Sequence, residues 1–112
     1  AAKRLARLIH QYRAVLAGGK SLCLCVSFST SRDSLPTEVV EQIRRFRAMM
    51  IGWLESVFIA GQSDGSIKSI GLPSHEAAAM LAQLDGAQIA ARAEENPELF
   101  GRSLQLLSSR FT

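Results

Sequence analysis

The chain has 112 residues, 47% of them hydrophobic and 21% charged, with three prolines: enough for one apolar core, too few for a fold such as a TIM barrel. Its mean hydropathy of +0.11, without an apolar run near about 18 residues, excludes a transmembrane span, and the apolar content excludes a disordered chain. The formal net charge is +3, yet residues 1–20 hold five basic residues and no acid, leaving 8 basic and 10 acidic residues in the other 92.

The basic start (Lys3, Arg4, Arg7, Arg13, Lys20) reads as the wet face of an amphipathic helix, because no helix-turn-helix or zinc-finger spacing accompanies it. Leu5, Leu8, Ile9, Tyr12, Val15 and Leu16 form the apolar stripe of that helix, and Gly18-Gly19 stops it after about Ala17. A pattern already running by Leu5, with no Met and no signal-peptide core, reads as a piece of a longer chain. Between Lys20 and about Arg32, Leu22, Leu24, Val26 and Phe28 alternate with Cys23, Cys25 and Ser27, the period of a strand. A lone strand would leave its backbone groups unpaired, so the expectation is a short helix, apolar nearly all round.

Val39, Ile43, Phe46, Met50, Trp53 and Val57 place a third helix, begun at Ser34 or Leu35 with Pro36 in its first turn and closed by Gly61. Residues 61–73 read as a loop. Ser74 caps a fourth helix that runs through Met80, Leu81, Leu84, Ala87 and Ala91 to about Glu94. Asn96-Pro97 then opens a fifth, through Phe100, Leu104, Leu107 and Phe111. Helix four is built of small residues, and helix five has two apolar faces, Phe100/Leu104/Leu107/Phe111 and Leu99/Leu106. A hairpin with surplus apolar surface is half of an intermolecular four-helix bundle, the alternative being that one chain covers both faces.

No constellation points to catalysis. Consecutive residues on a helix fan out by about 100°, so Ser74-His75-Glu76 cannot converge as a triad. His10, Cys23, Cys25 and His75 lack paired metal-ligand spacing, and there is no phosphate-binding glycine loop; neither metal nor cofactor is expected. Two cysteines make no disulfide scaffold, which favours a reducing cytoplasm. Cys23 and Cys25 would point about 200° apart on a helix. A thiol there near Lys20 can be reactive, although an inert buried cysteine is the plainer alternative. The Met and aromatic face of helix three, with Tyr12 and Phe28, fits a core; with Cys23 and Trp53 as polar handles it also fits an apolar ligand cavity.

The order of these features resembles a known family. Gly18-Gly19-Lys20-Ser21-Leu22-Cys23-Leu24, Ser34-Leu35-Pro36-Thr37-Glu38-Val39, Gly61-Gln62-Ser63-Asp64-Gly65-Ser66-Ile67, Glu76-Ala77-Ala78-Ala79, Leu84-Asp85-Gly86-Ala87 and a closing Asn96-Pro97 helix are similar to the C-terminal regulatory domain of TetR-family repressors. The resemblance implies an all-α domain of about five helices, occupying residues 1–112 as a single regulatory unit. Its last two helices would form the four-helix bundle of a homodimer, with Met80, Leu84, Ala87, Ala91, Leu104, Leu107 and Phe111 as the seam. A small apolar or aromatic inducer would bind among Tyr12, Cys23, Phe28, Phe46, Met50 and Trp53. Operator DNA would be read by a separate N-terminal domain. Two alternatives are a structural dimerisation module without ligand and an electrophile sensor using Cys23, whose neighbour Leu22 stands where the family often has Gly.

Overall fold

The computed structural model of the chain describes residues 1–16 and 24–112. Among these it is all-helical: α1 (Ala2–Val15), α2 (Leu24–Thr30), α3 (Thr37–Asp64), α4 (Pro73–Ala93), α5 (Glu98–Ser103) and α6 (Gln105–Ser108), with a 3-10 turn at Arg32–Ser34. The alternating pattern therefore resolves as helix over Leu24–Thr30, while Cys23 lies outside the described residues. The one β-bridge among the described residues joins Ile67 to Phe111.

α3 and α4 fold back on one another as a hairpin. α4 buries Ala77, Met80, Leu81, Leu84, Ala87, Gln88 and Ala91, a helical stripe that meets Leu54, Val57 and Phe58 of α3 and Phe100, Leu104 and Leu107 of the last two helices in one core. α1 adds Leu5, Tyr12 and Leu16 to it. Burying a side chain of this size contributes about 1.5–3 kcal/mol, so this cluster is the main source of stability.

The buried polar residue Gln88 has a defined task. The N–H of Leu16 bonds back to the Arg13 carbonyl, a tight last turn that leaves the Tyr12 carbonyl without its usual i+4 donor. Gln88 Nε2 donates to that carbonyl at 3.0 Å, tying the C-terminal end of α1 to the C-terminal half of α4.

The helix ends differ from the reading of the sequence in four places, the first being the start of α3 at Thr37, with Ser34 in a separate 3-10 turn, Leu35 extended and Pro36 at the N-cap position. α3 passes through Gly61 and ends at Gly65, whose φ of 71° is the left-handed conformation that favours glycine. Gly61 is instead a packing residue, because a Cβ there would sit 2.5 Å from Cδ1, 3.0 Å from Cγ1 and 3.3 Å from Cβ of Ile67. Ser74 does not cap α4. Pro73 occupies the first turn, and Glu76 reaches back to accept the Gly71 N–H at 3.1 Å. The fifth helix is broken at Leu104 into α5 and α6, where Ser103 Oγ donates to the Leu99 carbonyl at 2.7 Å, a back-bond that bends helices. Asn96 acts as expected: its Oδ1 accepts the Glu98 N–H at 3.1 Å. It also completes the end of α4, its own N–H bonding to the Ala91 carbonyl and that of Glu95 to Arg92, the Schellman pattern.

Gly61→Ala gains about 1 kcal/mol of helix propensity but forces Ile67 aside, an overpacking that costs about 1–3 kcal/mol. Contact at Cγ1 and Cβ, close to the Ile67 backbone, lets the second effect win. The expected result is a modestly lowered melting temperature, and Ile67→Val in the same chain should recover part of it.

Candidate functional site

The residues expected to line a cavity divide. Tyr12 is buried in the core, Met50 packs against it from the edge, and Phe28 is half-buried on α2. Phe46 and Trp53 are 37% and 39% exposed, and Met49 beside them is 60% exposed. α3 thus carries an outward apolar stripe; Cys23 lies outside the described residues.

Trp53 does line a cleft. Arg4, Arg7, Leu8 and Gln11, one face of α1, form its other wall, and its volume is about 240 Å³. The arginines that read as a merely solvated face therefore border the aromatic ring. No sequence signal marked this, because it depends on how α1 crosses α3. A second cleft of about 270 Å³ lies between α1 and the chain end, bordered by Ile9, His10, Arg13, Ser108 and Phe111.

The residues expected at a dimer seam lie inside the single chain. Met80, Leu84, Ala87, Ala91, Leu104 and Leu107 are at most 4% exposed, packed within their own chain, and Phe111 is half-buried in the bridge to Ile67. Side chains already covered have no surface left for a second copy. The bulky stripe faces inward because it removes more apolar area from water. What α4 leaves outside is the opposite stripe, Ala78, Ala82, Gly86, Ile89 and Ala93, with Ile89 42% exposed; Leu106 beyond it is 83% exposed.

Ion pairs fix the frame around these surfaces. Arg47 of α3 donates to Asp85 of α4 at 2.6 Å. Arg110 pairs with Glu76 and also donates to the carbonyls of Lys68 and Ser69, each at 3.1 Å. The Lys68 N–H bonds to the Arg110 carbonyl and the Thr112 N–H to that of Ser66, both at 2.7 Å. The chain end is thereby fastened across the α3–α4 loop. The Arg110 guanidinium, together with the Gly71 N–H, holds the Glu76 carboxyl below its ordinary value of 4.5. Glu76 is committed to this clamp, not to chemistry with His75.

Among the described residues no group of three His, Cys, Asp or Glu side chains gathers where it could hold a metal ion, and no helix is long and apolar enough to cross a membrane. No family sequence profile matches the chain, and no curated protein matches it by sequence. Solved structures do match. A TetR-family transcriptional regulator from Agrobacterium tumefaciens superposes with a TM-score of 0.89 at 24% identity, over 99% of this chain and 59% of that one. The regulatory protein TetR from Rhodobacter sphaeroides superposes with a TM-score of 0.85 at 18% identity, over 98% of this chain and 59% of that one. The chain thus spans less than two thirds of the length of these regulators, and over nearly all of its own length it has their all-helical fold.

Proposed function

We propose that this chain is the effector-binding and dimerisation part of a TetR-type transcriptional regulator, acting on DNA through a separate reading domain. The observation that carries this reading is the superposition on two such regulators over 98–99% of the chain. Two outward apolar surfaces support it. The stripe Phe46, Met49 and Trp53 with its cleft is the effector side. The stripe Ala78, Ala82, Gly86, Ile89 and Ala93, with Leu106, is the face for a second copy, since small residues let two helices approach closely. The seam moves from the bulky face of α4 to this one.

Effector binding then acts by selecting one arrangement of α1 and α3 over another. It shifts the population by the ligand's differential affinity, typically about 1–3 kcal/mol, and changes the spacing of two attached DNA readers. A regulator of this kind works in the cytoplasm, where its DNA is.

Light scattering tests the dimer. The wild-type chain should have the mass of two copies at micromolar concentration. Ile89→Arg with Leu106→Arg should give a folded monomer, because both side chains are exposed in the single chain. Gly86→Glu should act alike: a Cβ at Gly86 meets nothing within 4 Å, so folding tolerates it. A wild-type monomer, or a dimer that survives all three changes, would overturn the assignment of this face.

A further inference from the structure

We propose that the cleft between α1 and α3 takes a small aromatic carboxylate. This deepens the effector-binding reading and rests on it. The cleft has one aromatic wall, the partly exposed indole of Trp53, with Leu8 as an apolar neighbour and the Gln11 amide at one end. Arg4 and Arg7 complete it from α1, three residues apart and so on the same face of the helix.

What marks these two arginines is their place beside Trp53; like Arg32, Arg44, Arg45 and Arg102, and unlike the other arginines, they are unpaired among the described residues. Arg47, Arg92 and Arg110 each have a carboxylate within ion-pair distance, and Arg13 lies over the Phe100 ring. Arg4 and Arg7 have no side-chain hydrogen bond or ion pair among the described residues, and residues 1–20 contain no acid to supply one. Two unneutralised guanidinium groups beside an indole face raise the local potential for an anion. They also present planar donors that match a carboxylate in two-point geometry. A neutral apolar ligand would use the indole and waste both charges.

Size narrows the class further. At about 240 Å³ the cleft falls below the range of about 300–1,000 Å³ typical of drug-sized ligands. The occupant is therefore a fragment-sized acid of one or two fused rings: ring on Trp53, carboxylate between Arg4 and Arg7.

Trp53 is the single tryptophan of the chain, so its fluorescence reports on this cleft alone. The probes are 2-naphthoate and its neutral analogue 2-naphthamide, titrated into the 112-residue chain, with calorimetry alongside to catch binding that leaves the emission unchanged. Naphthoate should bind saturably, and naphthamide at least about tenfold more weakly. Arg4→Gln and Arg7→Gln should each weaken naphthoate about tenfold, the loss expected for one charge-assisted pair, and leave naphthamide unmoved. Both arginines are exposed, so the variants should melt as wild type does. Equal affinity for the two probes, or naphthoate binding unchanged in the double variant, overturns the carboxylate while leaving an effector site at Trp53 intact. Absence of saturable binding by either probe overturns the site itself.

Discussion

Leu84→Arg is expected to unfold the chain, whereas Ile89→Arg on the same helix is expected to leave it folded and alter only its association. Leu84 is fully buried in the cluster formed by α3, α4 and α5. Truncating such a leucine to alanine already costs about 2–5 kcal/mol. Arginine adds an unpaired charge to an apolar site, a penalty of several kcal/mol more. A domain of this size holds only about 5–15 kcal/mol in total, so the sum is comparable with everything that keeps it folded. Far-ultraviolet circular dichroism should show lost helix and no cooperative melt. A folded, helical Leu84→Arg monomer would mean that the bulky face of α4 is a seam after all, and that the packing described above is wrong.

Arg110→Ala should produce the next largest effect away from the apolar core. The guanidinium joins Glu76 to the carbonyls of Lys68 and Ser69, so its removal strands a carboxylate that is mostly covered. An exposed pair is worth about 0–1 kcal/mol and a buried one broken on one side about 3–5 kcal/mol. With side chains 26% and 15% exposed, a loss of about 2 kcal/mol is expected, read by chemical denaturation. The pH dependence carries a definite sign. The Glu76 carboxyl is held below 4.5 in the folded chain, so its contribution is fully present above that pH and disappears as pH falls through the lowered folded value. The gap in stability between wild type and Glu76→Gln should be constant at neutral pH and shrink below pH 4.5. A gap independent of pH down to acid unfolding would show that Glu76 is not clamped as described.

Periodicity in the sequence located the helices well, because an apolar stripe of five or six residues leaves few other ways to be buried. It could not say which of two stripes on one helix turns inward. On α4 the choice follows from size: Met80 and Leu84 remove more area from water than Ala82 and Gly86, and the bulky face takes the core. Gly61 looked like a stop because glycine usually ends helices, and its actual role depends on Ile67 across a loop. The pairing of Glu76 with Arg110 and the placing of Arg4 and Arg7 beside Trp53 have no local signature. Both join segments far apart in sequence, and charge alone reads as solvated surface. Asn96 was legible for the opposite reason, since its partner is two residues away.

The hydrogen bond from Gln88 to the Tyr12 carbonyl joins two surfaces of the chain. It fixes the C-terminal end of α1 to α4, and a buried hydrogen bond of this kind contributes about 0.5–1.5 kcal/mol. The other end of α1 is held as well, the Ala1 amino group by Asp64 at 2.8 Å and the Ala2 N–H by Ser66 Oγ at 2.9 Å, so α1 is anchored to α4 at one end and to the end of α3 at the other. One amide thus ties the helix that walls the cleft to the helix that carries the Ile89 stripe.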